Sequence, residues 1–579
     1  MHNKNIAKIF NNIATFLEMK GENIFKIKAY RKAAENIESL AEDIVHVRQE
    51  NRLGDIPGIG QALAEKIGEY LDTGKVKAYE ELKEELPEGL LQMTEIPSVG
   101  PKTAKLLYDQ LKIKDVENLK QAAEAGKLLG LPGIKEKTVE NILHGVKLLK
   151  EGQERMHLGT ATRVAQGFVE TLKKLKEVKQ ISTAGSLRRM KETIRDIDIL
   201  VDSDDPKAVM AAFVGLPQVK EVNNHGETKS SVMTEDNVQV DLRVVDSHCY
   251  GAALLYFTGS KNFNIKLRQI AIKKKMKISE YGVFALRGDK EKFLAGKTEE
   301  ECLKVLDLPF IPPELREEIG EVKLFSTATT YEVMAVPKLV EIGDIQGDLH
   351  AHSTWSDGRN TIEEMARAAQ AKGYSYIAIT DHSPGLRVAG GVSVADLKKK
   401  KNEIEKLNER LKNFRVLFGT EVEIDSNGDL DYNDATLKEF DVVIAAIHSG
   451  FTQSKTQLTK RLLKAVTHPC VNIIAHPTGI HLGKREAYEI DFKEICRAAV
   501  EHNTFLEINS FPIRLDLNSN NVYYAKELGA RFTINTDAHA VDQLEYIPLG
   551  VGVARRGWLT AEDVANTLSL KNILKEFSK

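Results

Sequence analysis

Cysteine is scarce in this chain: Cys249, Cys302, Cys470 and Cys496 are the only four among 579 residues, and no two form a Cys-x-x-Cys pair. Such scatter argues against a disulfide framework and against a cysteine-built metal knot. Net charge is equally thin, −3 from 81 basic and 84 acidic residues. Bulk charge therefore gives no sign of a nucleic-acid partner, and any such signal has to be local. No apolar run approaches the roughly 18 residues that cross a membrane. The N-terminus reads as an amphipathic helix carrying acids and lysines, not as a signal peptide. With no oligomerisation signal either, the expectation is a cytoplasmic monomer without membrane contact. The length exceeds what one core supports, and roughly three to five domains are expected.

What is present is most concentrated in Gly185-Ser186-Leu187-Arg188-Arg189, followed by Asp196-Ile197-Asp198. A Gly-Ser turn offers backbone N–H groups and a hydroxyl to a phosphate, because glycine lets the backbone come close. The two arginines add forked donors suited to phosphate oxygens. The run IRDIDILV (194–201) is apolar and β-branched and predicts a strand, whose period of two puts Asp196 and Asp198 on one face. A third acid, Asp241 in VQVDLRVV, falls mid-strand among apolar residues, where an unpaired charge is costly. Asp-x-Asp alone is usually a pair of solvated turn residues. Joined to the phosphate turn and to Asp241, it describes a nucleotidyl-transfer site in which Mg²⁺ ions bridge protein and nucleotide. The one local basic signal is Lys261 to Lys277, with seven basic residues and no acid, well placed to meet DNA phosphates.

These motifs resemble the palm of family X DNA polymerases, the short repair polymerases that include polymerase beta. Tyr256-Phe257-Thr258-Gly259-Ser260, then Asn264, Arg268 and ISEYGVF (278–284), are similar to that family's thumb. The resemblance implies that Ser186 and Arg189 hold the incoming triphosphate, with Arg155 a third candidate. It implies that Asp196, Asp198 and Asp241 hold two Mg²⁺ or Mn²⁺ ions, Asp241 also activating the primer 3′-hydroxyl. Tyr256 and Phe257, with Gly259, would flank the sugar, although the two aromatics also suit ordinary core packing. Asn264 would meet the incoming base and Arg268 the template side.

The first 150 residues are helix-patterned and repeat a turn: IPGIG at 56–60, IPSVG at 96–100 and LPGIK at 131–135. The repeat resembles the helix-hairpin-helix motif, in which glycines such as Gly58, Gly60 and Gly100 let backbone amides at a helix N-terminus face a DNA phosphate. The third copy has Lys135 in place of the second glycine and suits a structural role. Lys66 matches the Schiff-base lysine of the family's sugar-phosphate lyase, and Lys26 matches a 5′-phosphate contact. Ala62 stands where another phosphate-binding lysine is expected, and a helix-surface lysine is ordinarily just solvated, so lyase activity stays open.

From residue 345 the pattern changes. Short apolar runs (YIAIT, RVLFGTEVEI, DVVIAAIH, NIIAH, TFLEIN, RFTINTDAH) alternate with amphipathic helical stretches, which predicts β/α units closing into a barrel. The runs end on His350 and His352, Asp357, His382, Glu421, His448, His476, and Asp537 with His539. Active sites of β/α barrels gather at strand C-terminal ends. Imidazole with carboxylate suits Zn²⁺, Mn²⁺ or Fe²⁺, and nine ligands serve two or three ions. The i, i+2 pairs His350/His352 and Asp537/His539 are each expected to face one way. DLHAHS, SDG, TDHS, GTE, IHSG, AHP and TDAH, in this order, resemble the PHP (polymerase and histidinol phosphatase) domain. That resemblance favours Glu421 over Glu423 as ligand and implies phosphoester hydrolysis. Arg514 suits a substrate phosphate or a surface salt bridge.

The expected architecture is multidomain: a helical lyase-like region with a helix-hairpin-helix (1–82), a fingers-like helical region (83–154), an α+β nucleotidyltransferase palm (155–246), a thumb (247–318), a linker (319–340) and a distorted β/α barrel of PHP type (341–579). The combination resembles bacterial family X polymerases. It implies short-gap filling on gapped or primer-template DNA with dNTPs, a manganese-dependent 3′→5′ exonuclease in the barrel, and abasic-site cleavage as a further activity. Three alternatives remain: a barrel that is only a scaffold, a barrel acting on small phosphoesters, and a DNA-end-binding module with weak synthesis.

Overall fold

The structure is a computed structural model. It describes residues 2–38, 40, 43–56, 58–94, 96, 98–150, 155–288, 290–321 and 336–578. The chain divides into two compact units, Met1–Glu154 and Arg155–Lys579.

The first unit is helical. Helix His2–Met19 buries Ile6, Phe10, Ile13 and Leu17, spaced three and four apart, against helix Ile24–Glu38, the stripe expected of a core-facing helix. In the repeated turns, Gly58 and Gly133 take positive φ (83° and 78°), and Ser98 does the same at 69°. Gly60 and Gly100 stand at the entry of helices Gln61–Thr73 and Pro101–Leu111. Lys135 holds the corresponding place before helix Glu136–Lys150, its carbonyl accepting from the Thr138 and Val139 amides. The residue between, Ile59, Val99 or Ile134, is buried each time, so each hairpin is plugged into the core by one apolar side chain.

The second unit begins with strand β1 (Met156–His157), which pairs with β3 (Thr193–Ile194). A five-stranded sheet follows, made of β2 (Gln180–Thr183), β4 (Ile197–Asp202), β5 (Val219–His225), β6 (Lys229–Thr234) and β7 (Gln239–Val245), in the order β2-β4-β7-β6-β5. Only the central pair β4/β7 is parallel. Helices Leu158–Leu172 and Pro206–Val214 cover one face, with Phe168 and Phe213 in ring contact. Next come helices Tyr250–Thr258 and Lys261–Lys273, a three-stranded antiparallel sheet of β8 (Met276–Ser279), β9 (Gly282–Arg287) and β10 (Lys290–Ala295), and helix Glu299–Val305. Their shared core is Phe263, Leu267, Ala271, Cys302 and Leu303.

The remainder is a parallel barrel of seven strands in sequential order: β11 (Gly347–Ala351), β12 (Tyr376–Ile379), β13 (Arg415–Glu423), β14 (Val442–Ala446), β15 (Ile473–Ile474), β16 (Phe505–Asn509) and β17 (Phe532–Asn535). It closes where Ala351 bridges Ala538 and the His352 amide donates to the Ala538 carbonyl. Helix Ile547–Arg556 docks the barrel on the segment that follows helix Gly185–Arg188 and on residues Glu314 and Glu317. Gly552 leaves room for Met190, which a Cβ would strike. Buried Arg556 donates to the Arg189 carbonyl and to Glu317, both at 2.9 Å, and Glu192 accepts from the Ser519 amide and hydroxyl.

Candidate active sites

In the five-stranded sheet the parallel register sets Asp198 of β4 directly beside Asp241 of β7, and Asp196 precedes β4 by one residue. Burial comes first, and mutual repulsion second, in pushing the Asp198 carboxyl up to about 7; the Asp196 carboxyl is also raised, by burial and by Asp241. Carboxylates crowded side by side are what divalent cations relieve. Asp241 is held by the Ser231 hydroxyl and by Gln239 at 3.0 Å, with the Lys229 ammonium 3.9 Å away. The glycine of the Gly-Ser turn is fixed by the same acids: Gly185 has φ 61°, and a Cβ there would collide with Asp198 Oδ2. The Ala184 amide donates to the Asp198 carbonyl at 2.8 Å, so turn and aspartates form one body. Ser186 lies half-buried in the short helix Gly185–Arg188.

Both arginines are ion-paired to a glutamate, and Arg189 is the less exposed of the two. Arg188 does not offer its fork to a ligand: it grips Glu299 through both terminal nitrogens (2.8 and 2.7 Å), and Glu299 also pairs with buried Arg316 at 2.6 Å. The expectation that both arginines offer free forks to phosphate is corrected: as placed, Arg188 is paired with Glu299 and Arg189 with Glu317. Burial opposes ionisation of Glu299, but Arg188 and Arg316 outweigh it and hold that carboxyl down at about 2. Arg189 contacts Glu317 at 3.0 Å and the Thr258 carbonyl at 2.6 Å. Arg155 donates to Thr193 at 2.8 and 2.7 Å, and its charge acts on Asp196.

Tyr256 and Phe257 lie on helix Tyr250–Thr258, half-buried and edge to face. Arg243, which the sequence did not single out, stacks on Phe257 at 4.4 Å. Gly259 (φ 70°) closes the helix beside Arg189. Asn264 donates to the Tyr256 carbonyl at 2.7 Å, and Arg268 lies 5.7 Å from the Tyr256 ring. Tyr256, Asn264 and Arg268 line one small crevice with Leu267 and Ile278. Part of the basic run is neutralised locally, through Lys266–Glu318, Lys274–Asp307 and Lys277–Glu291.

At the C-terminal mouth of the barrel the ligand set forms three overlapping groups: His350, His352 and Asp537; His352, Asp357, His382 and His539; and His382, Glu421 and His448. His476 adjoins the last, 3.0 Å from Glu421. His350 Nε2, both ring nitrogens of His352, His382 Nδ1 and Glu421 Oε2 are buried without a hydrogen-bond partner. Buried donors are normally satisfied, so these convergent orphan atoms fit divalent ions. Two details differ from expectation. Asp357 stands in the exposed loop beyond β11, not at a strand end. Asp537 takes φ 55°, so the period-two rule fails there, and Asp537 and His539 join different groups.

Behind the ligands stand carboxylates. Glu507, fully buried on β16, meets His350 Nδ1 at 2.7 Å and accepts from the His476 amide and from Asn509 and Asn535. Glu423, the last residue of β13, meets His448 Nδ1 at 2.7 Å. Each aims its histidine's Nε2 at the centre. Sequence reasoning passed over Glu507, yet an acid inside the apolar run TFLEIN carries the same signal that exposed Asp241. Arg514 lies 3.4 Å from Asp537.

In the helical unit, half-buried Lys66 donates weakly to the Ala62 carbonyl at 3.4 Å, and exposed Lys26 lies 3.8 Å from Glu22.

Fold and sites thus define a chain with helix-hairpin-helix repeats, a nucleotidyl-transfer sheet with its thumb, and a metal-fitting β/α barrel. Comparison with known proteins agrees. Residues 1–76 match the helix-hairpin-helix domain family, 90–147 the SAM-like helix-hairpin-helix tandem, 253–317 the DNA polymerase beta thumb and 348–511 the PHP domain. The chain is 41% identical over 575 residues to "DNA polymerase/3′-5′ exonuclease PolX" of Bacillus subtilis (strain 168), covering 99% of each. It is 24% identical to DNA polymerase lambda of Rattus norvegicus over 55% of this chain and 56% of that one. The barrel region is 31% identical to the "Probable phosphatase" of Thermoanaerobacter sp. (strain X514), over 40% of this chain and 94% of that one. The chain belongs to the bacterial-type family X DNA polymerases, with a polymerase beta-like core and a C-terminal PHP domain. Both parts imply use of divalent metal ions. Among the described residues no helix is long and apolar enough to cross a membrane.

Proposed function

We propose that this protein fills short gaps in DNA during repair and that its barrel trims 3′ ends in the 3′→5′ direction. The observation that carries the first half is the register of Asp198 against Asp241 with Gly185 packed on Asp198. In this reading Asp196, Asp198 and Asp241 hold two Mg²⁺ or Mn²⁺ ions, and Asp241 also draws the proton from the primer 3′-hydroxyl. Ser186, Arg189 and Arg155 face the dNTP triphosphate. Tyr256, Phe257 and Gly259 flank the sugar, and Asn264 and Arg268 sit by the base pair. Gly58, Gly60 and Gly100 admit DNA phosphates to the hairpins. The support for the second half is the nine-residue barrel set with its orphan nitrogens. Two or three Mn²⁺, Zn²⁺ or Fe²⁺ ions would supply water activation and charge neutralisation there. The residues' own part is to fix those ions: Glu507 and Glu423 keep the proton on Nδ1 of His350 and His448, leaving Nε2 as donor atom. Abasic-site cleavage by the barrel and a Schiff-base lyase step at Lys66, with Lys26 on the 5′-phosphate, extend the same reading.

A small-phosphoester phosphatase is the second reading, favoured by the likeness of the barrel alone to the Thermoanaerobacter protein. A 5′-labelled primer in a gapped duplex, incubated with Mn²⁺ with and without dNTPs, separates the readings. Asp198→Ala is expected to lose only extension and His350→Ala only shortening. Shortening that never appears, or that persists in His350→Ala, removes the exonuclease assignment.

A further inference from the structure

One carboxylate, Glu317, is gripped from two sides. Arg189, which caps the short helix Gly185–Arg188, donates through Nε to Glu317 Oε1 at 3.0 Å and through Nη1 to the Thr258 carbonyl at 2.6 Å. Arg556, at the end of the barrel helix Ile547–Arg556, donates to the same Oε1 at 2.9 Å. Its guanidinium also donates to the Arg189 carbonyl at 2.9 Å and to the Ser519 hydroxyl at 3.3 Å. That hydroxyl donates in turn to Glu192 at 2.7 Å. Lys191 stands 3.9 Å from Glu317 Oε1. Glu317 is therefore shared between the turn that carries Arg189 and a barrel residue 367 positions further along the chain.

The charge balance decides what Arg189 can do. A guanidinium neutralised by a carboxylate of its own draws a triphosphate weakly, because the two fields largely cancel. Here the carboxylate is not Arg189's alone. Burial opposes ionisation of Glu317, but Arg556 first, then Arg189 and Lys191, hold its carboxyl down at about 2. The neighbouring Arg555 pairs with Glu314 at 2.7 Å and adds no net charge. Arg189, Lys191 and Arg556 against Glu192 and Glu317 leave the turn positive, and without Arg556 that surplus is gone. A guanidinium also has more N–H donors than Glu317 and Thr258 use, so Arg189 keeps donors for phosphate oxygens while its plane is fixed. We infer that Arg556 of the barrel is a positioning residue of the polymerase centre: by taking up the charge of Glu317 and bonding the Arg189 carbonyl, it leaves the Arg189 guanidinium available to the triphosphate of an incoming dNTP. The inference rests on the reading of Arg189 as a triphosphate contact and adds what keeps that arginine, itself ion-paired, able to serve.

Full-length variants are compared with wild type on a gapped duplex with Mg²⁺. Single-turnover extension is read against dNTP concentration, with thermal melting as the check on folding. Arg556→Gln is expected to raise the half-saturating dNTP concentration about three- to tenfold, while the maximal rate stays within about twofold. Arg556→Lys, which keeps the charge, recovers part of that loss. Arg555→Ala, which breaks the adjacent pair with Glu314, leaves dNTP affinity at the wild-type value. Glu317→Gln alone is expected at or below the wild-type concentration. Combined with Arg556→Gln it returns the protein close to wild type, because the unbalanced carboxylate is gone; damage to packing would instead deepen with the second change. Unchanged dNTP affinity in Arg556→Gln overturns the inference. A double variant no better than Arg556→Gln, or a rise in Arg555→Ala matching it, does the same. If Arg556→Gln fails to fold, Glu317→Gln decides, and a raised half-saturating concentration there overturns the inference. Arg189→Ala separates the two levels. No change in dNTP affinity there removes the reading of Arg189 as a triphosphate contact, whereas a rise there with none in Arg556→Gln removes only the barrel's part.

Discussion

In the reading proposed above, the palm aspartates and the barrel cluster meet the same task, holding divalent cations, in opposite ways. The palm offers three carboxylates, all half-buried, backed by little more than Ser231 and Gln239. The barrel offers six imidazoles with three acids; His350, His352 and Glu421 are shut off from solvent, and carboxylates behind the rings fix their tautomers. An open, all-oxygen site suits hard ions that keep waters and share oxygens with a bound nucleotide. A closed imidazole–carboxylate site suits transition ions that stay resident. On that reading one centre is completed by its substrate while the other is built in advance, and each prediction below breaks one side and spares the other.

The largest effect is expected at Gly185. Gly185→Ala combines a left-handed backbone with a side chain driven into Asp198 Oδ2. Displacing that carboxylate removes several kcal/mol of transition-state stabilisation, so primer extension is expected to fall roughly a thousandfold while Mn²⁺-dependent shortening stays intact. Gel-resolved extension and shortening on one labelled primer measure both; a parallel loss of the two would mean the unit had unfolded. Glu507→Gln tests the other side. The amide cannot hold the proton on His350 Nδ1 as a carboxylate does, and ion affinity in the barrel is expected to drop about 10- to 100-fold. Metal content by mass spectrometry after graded chelator dialysis reads this directly, and extension should not move.

Much of this contrast was legible in the sequence, and the reasons are specific. Asp198 and Asp241 showed because a charge inside an apolar strand needs a purpose. The barrel showed because histidines and acids recur wherever an apolar run stops. Other features depended on neighbours far along the chain. Arg188 and Arg189 looked like free phosphate donors, and only Glu299, 111 residues on, and Glu317, 128 residues on, show that each is paired inside the protein. Asp537 and His539 looked like one pair until a left-handed backbone turned them towards different groups. The docking of Arg556 on Glu317 and the Arg189 carbonyl left no local trace, since a basic residue at the end of a helix is ordinary. The third hairpin, with lysine for glycine, keeps the positive φ at Gly133 and the buried Ile134, so the apolar plug proves more telling than the second glycine.

A smaller effect concerns pH. The Asp198 carboxyl is pushed up from 3.8 to about 7, chiefly by burial and then by Asp196 and Asp241. A raised carboxyl binds more protons folded than unfolded, so stability falls as pH climbs from about 4 to about 7 and is level above that. Metal-free Asp198→Asn is therefore expected to melt above wild type at pH 8, by about 2 °C, with the gap closing towards pH 5. Mg²⁺, by neutralising the three acids, should narrow the gap for wild type. Differential scanning fluorimetry in chelator across that range gives the result. A variant no more stable than wild type at pH 8 would show that the aspartates do not strain one another. The barrel supplies the control, since His350→Ala should not reproduce this pattern.

The smallest expected effect on the fold is at Lys66. Its ammonium makes one long hydrogen bond, to the Ala62 carbonyl, so Lys66→Ala should change stability by no more than about 0.5 kcal/mol and leave extension and shortening alone. If Lys66 is the lyase nucleophile, borohydride should trap wild type on DNA ending in a 5′-deoxyribose phosphate, and the trapped species should vanish in Lys66→Ala. A Schiff base needs an unprotonated amine, and a 5′-phosphate held by Lys26 would bring the aldehyde close to it. Trapping that survives in Lys66→Ala moves the chemistry to another amine. No trapping in wild type leaves the helical unit as a DNA-holding element, and the departure at Ala62 becomes the residue that marks the loss.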